Sequence, residues 1–196
     1  MFYSLKKEVL EILHNAEYGT LALSNDKGMP YALPINFVSI DDAIYFHGSK
    51  KGKKIDFINS NHRASFSVVN SFALIPSFFS STKEMACTAN HFFKSVIIDG
   101  HIKFVSDYNE KVLAINLLMQ KLQPEGNYHP LENDTYTKVI SAVEIIKLVV
   151  EQADVKIKLG QNLSQERFEM TVNNLLKRKF PKDKEIVIQM KRYRKK

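Results

Sequence analysis

The chain has 196 residues, 44% hydrophobic and 25% charged, a balance that fits one packed domain with an appendage and excludes a disordered or fibrous protein. Its formal charge is +7, but residues 177–196 hold ten Lys or Arg against Asp183 and Glu185, a net +8 that leaves the preceding chain at −1. The basicity therefore belongs to the tail. Such a tail reads first as a solvated helix end and only secondarily as a segment seeking nucleic acid or acidic membranes.

The start, Met-Phe-Tyr-Ser-Leu-Lys-Lys-Glu, puts charges where a signal peptide needs an apolar core, and no later run is long enough to span a bilayer. A cytoplasmic protein is expected. Residues 4–15 place Leu5, Val9, Leu10, Ile12 and Leu13 at helical spacing, which predicts an amphipathic helix with Ser4 as its cap. Thr20 to Ser24 reads as a short strand, and Asn25-Asp-Lys-Gly28 as the turn into a second strand over 31–40. A third strand, Ala43 to His47, follows Asp41-Asp42. Three antiparallel strands with short links suggest a sheet or barrel rather than a parallel sheet.

Pro30 and Pro34 lack a backbone donor, so the second strand must be an edge or carry a bulge or break. Main-chain groups freed around Ile35 to Val38 can hydrogen-bond a flat heterocycle; the plainer alternative is a bend at a barrel corner. Next comes Gly48-Ser-Lys-Lys-Gly-Lys-Lys54, directly before a short helix expected over 53–60. Helix-start amides and flexible ammonium groups suit a phosphate, with Lys53 and Lys54 best placed and Ser49 beside them. His47, at the strand end before this loop, can shuttle a proton near neutral pH, or simply be a hydrogen-bonded histidine.

Arg63 to Val69 alternates as a strand, whereas residues 71–93 show no ordered pattern and read as a long loop lining a site or a subunit interface. Phe78, Phe79, Phe92 and Phe93 could wall a ring or simply be core. Ser95 to Val105 is strand-like around an expected turn at Asp99-Gly100. Asn109 to Leu122 is the clearest helix, with Asp107 near its start, and Lys138 to Val150 is rich in β-branched residues, as a strand would be. Residues 164–178 form a further helix capped by Ser164, ahead of Pro181 and the basic tail.

Cys87 is the only cysteine, so there is no internal disulfide, and a small buried residue is expected there rather than a nucleophile. The histidines lack metal-ligand spacing and no structural metal is expected. Nucleophile elbows and dinucleotide fingerprints are missing from the sequence. Any chemistry then falls to a cofactor.

Gly19-Thr-Leu-Ala-Leu, Gly28-Met-Pro-Tyr-Ala-Leu-Pro-Ile-Asn-Phe, Ile44-Tyr-Phe-His-Gly-Ser with Gly52-Lys-Lys, and Phe93-Lys-Ser-Val-Ile-Ile-Asp-Gly100 occur in an order that resembles the flavin-binding split barrels. They are most similar to the nitroimidazole-resistance (Nim) flavoproteins of the pyridoxamine 5′-phosphate oxidase-like superfamily, over about residues 4–150. The resemblance implies a mainly β fold with flanking helices (α+β): a six-stranded antiparallel split β-barrel of Greek-key type, with residues 1–160 as the FMN-binding domain and 161–196 as a helical, basic extension. It also implies a homodimer holding FMN at the subunit interface. Lys53 and Lys54 would meet the FMN phosphate with Ser49 nearby. Pro34, Ile35, Asn36, Phe37 and Val38 would run beside the isoalloxazine ring, joined by Ser95 and Val96, with His47 near the flavin as the candidate catalytic group. The expected function is an FMN-dependent oxidoreductase reducing small electron-poor acceptors such as nitro compounds or quinones. The alternatives are a flavin carrier or sensor without turnover, and a barrel binding another ligand such as haem. True pyridoxamine phosphate oxidases carry a C-terminal signature with Trp and Arg, and this chain has no Trp and ends in Arg192-Tyr-Arg-Lys-Lys. That departure argues against vitamin B6 oxidation.

Overall fold

A computed structural model describes residues 7–83, 85–132 and 134–194. The expected cap Ser4 lies outside the described residues. Two compact units form: one from the chain up to Val68 together with Val96–Val155, the other from Val69–Ser95 with the chain from Lys156 onward.

The first unit is organised by its strands. After helix α1 (Lys7–His14), strand β1 (Gly19–Ser24) pairs antiparallel with β2 (Pro30–Ile35), from Gly19 opposite Ile35 to Ser24 opposite Pro30. The turn between them is built by Asn25, whose side-chain oxygen accepts from the amides of Lys27 (3.1 Å) and Met29 (2.8 Å). Gly28 there takes φ 76°, a conformation that suits glycine because it has no Cβ. Strand β3 (Val38–Ile40) pairs with β4 (Ala43–Gly48), which in turn pairs with β7 (Glu144–Lys158). Strands β5 (Arg63–Ile75) and β6 (Asn90–Phe104) complete a seven-stranded sheet in the order β2-β1-β5-β6-β7-β4-β3.

This order corrects two expectations. The sheet has seven strands rather than six, because the single strand expected over 31–40 is broken at Asn36-Phe37 into β2 and β3. Those two strands stand at opposite ends of the sheet order although only two residues join them, a link no longer than about 11 Å. The sheet must therefore curl until its two edges approach, as in a split barrel with flanking helices. The edge position also explains how Pro30 and Pro34 are tolerated in β2: a missing N–H costs nothing on the unpaired side.

The Asp99-Gly100 turn is the next correction, since both residues lie inside the continuous strand β6. Gly100 is there for closeness: a methyl group at its Cα would collide with the main-chain carbonyl of Val149 on β7. Gly100→Ala is therefore expected to lower the unfolding free energy by about 1–3 kcal/mol, the usual range for overpacking. Urea denaturation of the variant would measure it. Similarly, the strand expected from Lys138 begins later, because Thr137–Ala142 forms helix α4 and β7 starts at Glu144.

The core of this unit gathers Val9, Ile12 and Leu13 of α1 with Leu21, Phe37, Ile44, Phe46, Phe66, Val96, Ile98, Ile146 and Leu148. The spacing of the α1 residues places them on one face, as the sequence predicts. Helix α3 (Tyr108–Leu122) starts at the expected cap, with the Asp107 carboxylate accepting from the Glu110 amide at 2.7 Å.

In the second unit, the stretch with no ordered sequence pattern is the end of β5, two short 3-10 turns (Ser77–Phe79 and Ala86–Thr88) and the start of β6. Helix α5 (Gln165–Arg178) starts where Ser164 accepts from the Arg167 amide at 3.4 Å. The basic tail is not a solvated appendage: Asp183–Tyr193 forms helix α6, and Ile186, Val187 and Met190 are buried with Phe168, Val172 and Leu175 of α5. Lys184, Lys191 and Arg192 of α6 face out, so the charge pattern hid an amphipathic helix. Cys87 is exposed rather than buried.

Candidate functional site

Strand β4 reads as four buried residues, Ala43 to Phe46, followed by exposed His47 and half-buried Gly48. The apolar half anchors the strand between β3 and β7, so the polar end is delivered to the surface in a fixed place. Helix α2 (Lys53–Ser60) begins five residues later, with Gly52 at its N-cap in a glycine-favouring conformation (φ 107°). The Gly52 carbonyl accepts from the amides of Ile55 (2.8 Å) and Asp56 (3.1 Å). The first-turn amides of Lys53 and Lys54 have no intrahelical acceptor, and the helix dipole adds positive potential there.

Each lysine of the loop has its own disposition. The Lys54 ammonium folds back and donates to the His47 carbonyl at 3.3 Å. Gly48 makes this possible, since a side chain at 48 would occupy the place of the Lys54 Nζ. The Lys53 Nζ lies 4.4 Å from the centroid of Tyr31 on β2, a ring that itself packs 5.2 Å from Phe57 of α2. Lys50 donates to the Ser141 carbonyl at 2.7 Å and ties the loop to the end of α4. The Ser49 hydroxyl accepts from the Lys51 amide at 3.2 Å and shapes the turn.

Burial holds the Lys54 ammonium below the ordinary lysine value. Desolvation, and secondarily the charge of Lys54, holds the His47 imidazole below the usual histidine value. At neutral pH the histidine is therefore an uncharged donor and acceptor next to a cation, suited to polarising a ligand or relaying a proton.

Among the residues expected to line a flat ring, Pro34 and Asn36 are exposed and Ile35 is half-buried. Phe37 and Val38 are buried. Phe37 is a core residue, edge-on to Phe66 at 4.9 Å, and its carbonyl accepts from Lys121 of α3 at 3.0 Å. The same ammonium sits 3.8 Å from the Phe37 ring centroid, so Lys121 holds Phe37, at the break between β2 and β3, by its carbonyl and its ring. Val96 is fully buried in the core of the first unit, and Ser95 is half-buried. The structure thus brings Lys54 to the His47 carbonyl and Lys53 to Tyr31 of the β2 edge, while Phe37 and Val96 belong to the hydrophobic core of the first unit. Of the four phenylalanines that could wall a ring, Phe79 and Phe92 are core residues of the second unit, Phe93 is half-buried and Phe78 is exposed.

Sequence reasoning missed Tyr31 and Lys121. Tyr31 was visible only as one more member of the Tyr31, Leu33, Ile35 alternation, and Lys121 as one more last-turn cation on α3. It also missed a part-buried polar cluster, where Tyr45 donates to Glu110 at 2.7 Å and Lys147 pairs with the same oxygen at 2.5 Å. Burial, then the bond to Glu110, pushes the Tyr45 phenol up, so it stays a neutral donor.

The loop, the helix start and the irregular strand edge sit on a curled antiparallel sheet of the split-barrel class. The sequence profile of the family described as pyridoxamine 5′-phosphate oxidase matches residues 6–157, and the chain belongs to that family. Among solved structures, it is similar to a candidate 5-nitroimidazole antibiotic resistance protein from Bacteroides thetaiotaomicron: TM-score 0.61 and 21% identity over 78% of this chain and 85% of that one. It is also similar to the flavocytochrome Anf3 from Azotobacter vinelandii, with TM-score 0.65 and 22% identity over 80% of this chain and 68% of the other. A FAD and heme binding protein from Mycobacterium smegmatis gives TM-score 0.62 and 20% identity over 80% and 72% of the two chains. At these identities the likeness establishes the fold. No curated protein matches the sequence. Among the described residues, no helix is long and apolar enough to cross a membrane.

Proposed function

We propose that the protein is a flavoprotein that binds FMN and passes electrons to small electron-poor acceptors such as nitro compounds or quinones. The observation that carries this reading is the end of β4, where His47 and Gly48 run into a lysine loop and a helix start whose Lys54 ammonium is already held over the His47 carbonyl. That donor set fits a phosphate dianion: amides at a helix start, ammonium groups at two positions, and a hydroxyl at Ser49. Membership in the family and the names of the flavin-binding structural relatives support a flavin as the owner of that phosphate. When bound, the flavin supplies the two-electron chemistry.

The chain's own residues bind and orient. Lys53, Lys54 and the α2 amides take the phosphate, while the exposed edge at Pro34, Ile35 and Asn36 runs beside the ring. His47, uncharged at neutral pH, hydrogen-bonds or relays a proton near it. Phe37 and Val96 are spent in the core, so one chain offers only part of a ring-binding surface, and a homodimer would supply the remainder.

The visible spectrum of the purified protein, with identification of the released chromophore, tests the assignment. About one FMN per chain and nicotinamide-dependent reduction of a nitro compound or quinone are expected. A colourless protein that fails to bind added FMN would overturn it. A carrier or sensor would bind FMN stoichiometrically without turnover. The relatives named as a flavocytochrome and as a FAD and heme binding protein favour haem as the second reading, and a Soret band would reveal it.

A further inference from the structure

A polar cavity of about 230 Å³ lies entirely within the second unit. It is smaller than the roughly 300–1,000 Å³ of sites for drug-sized ligands, so its occupant is small. Its walls include Ser80, Cys87, Thr88, Lys158 and Arg167, and among the described lining residues none is acidic. Two cations, Arg167 and Lys158, therefore line a hollow with no carboxylate among its described lining residues.

The arginine is held rigidly. Its Nε donates to the Ser80 carbonyl at 3.0 Å and its Nη2 to the Ser80 hydroxyl at 3.3 Å. Its own carbonyl accepts from Thr171, which is fully buried, at 2.8 Å. A guanidinium has five N–H donors; two are used on Ser80. Ser80 is 3% exposed, and its hydroxyl, which accepts from Arg167, keeps one hydrogen to donate. Buried hydroxyls ordinarily find an acceptor. Guanidinium N–H groups, a buried hydroxyl hydrogen and a lysine ammonium form a donor-rich set whose natural complement is an oxyanion with several acceptor atoms.

We propose that this cavity is a binding site for a small phosphate-type oxyanion, free or carried on a small ester, held by Arg167, Ser80 and Lys158. Neither the family assignment nor the flavin reading calls for it, and it stands independently of both. Cys87, exposed at its wall and the only cysteine in the chain, reports on occupancy.

The test is carboxamidomethylation of Cys87 in the full-length protein by neutral iodoacetamide, followed by mass spectrometry while inorganic phosphate or glycerol 3-phosphate is titrated at constant ionic strength. Both anions are expected to slow labelling saturably. The lower half-protecting concentration tells the free ion from the ester. Lys158→Met should raise that concentration about fivefold, the effect of a partly exposed charge contact, and Arg167→Met should abolish protection. Lys54→Met, in the candidate flavin site, should leave protection as it is, which separates failure of this proposal from failure of the flavin reading. Absence of protection, protection matched by potassium chloride alone, or protection undiminished in Lys158→Met would overturn the proposal. Lys158 is exposed, so its variant decides the matter even if Arg167→Met does not fold.

Discussion

Lys54→Met is expected to weaken FMN binding by about ten- to hundredfold while leaving riboflavin, which lacks the phosphate, bound as in the unaltered protein. The magnitude is that of one charge-assisted hydrogen bond, about 1.5–3 kcal/mol, converted to affinity at 1.4 kcal/mol per tenfold. Lys54 is the lysine to change because its ammonium is already positioned: it bonds the His47 carbonyl at 3.3 Å and lies 5.6 Å from the Phe46 ring centroid. A group held in place gives up less side-chain entropy on binding than a freely moving one. Lys53, over Tyr31, comes second. Gly48→Val should mimic the effect without touching any lysine, since a side chain there displaces the Lys54 ammonium. Fluorescence titration of both flavins against each variant measures the difference. Equal weakening of FMN and riboflavin would place Lys54 at the ring or in folding, and undiminished FMN affinity would remove the phosphate from this loop.

The elements of the candidate site were legible where their logic is local. A strand end, two glycines, a run of lysines and a helix start are consecutive in the chain, and the structure keeps His47, Ser49, Lys53 and Lys54 in that short stretch. Caps were legible for the same reason, as Asp107 and Ser164 show. What failed was set at a distance. The alternation of residues 31–40 continues through Asn36-Phe37, so nothing local marks the point where the chain leaves one edge of the sheet for the other. Asp99-Gly100 has the composition of a turn, but its glycine answers to the carbonyl of Val149, far away in sequence. The β-branched residues at Val139 and Ile140 favour a strand by propensity, and tertiary packing overrides it: Ile140 is buried on a helix beside Val112 and Leu131. The basic tail misled because net charge sums over a helix and cannot show that its cations share one side. Ile186, Val187 and Met190 carried the opposite signal at spacings of one and three.

Asp183→Asn should have the largest effect on stability, because it strands a charge in the second unit. Asp183 is 1% exposed and holds Arg178 by two bonds, at 3.1 Å to Nε and 2.5 Å to Nη2, while also accepting from the Phe180 amide at 2.8 Å. The Arg178 side chain is 17% exposed; it also donates to the Leu74 carbonyl at 3.0 Å and lies over Phe79 and Phe180. One ion pair therefore joins the end of α5 to the start of α6. Removing one partner of a buried pair costs about 3–5 kcal/mol, and at roughly 2–4 °C per kcal/mol for a chain of this size the melting temperature should fall by about 6–20 °C. The pH dependence gives an independent check. Bonding to Arg178 holds the Asp183 carboxyl below its ordinary value, so the stability it contributes is complete above the unfolded carboxyl pKa and is lost as pH falls through the lower folded value. The original protein should lose this part of its stability in acid, while Asp183→Asn, with nothing to titrate there, should lack that component and differ from it less at low pH than at neutral pH. Thermal melts across that range, with hydrogen exchange in α5 and α6, would show it. A variant as stable as the original at neutral pH would mean that the desolvation of the pair offsets its attraction in full, and that α6 is held by Ile186, Val187 and Met190 alone.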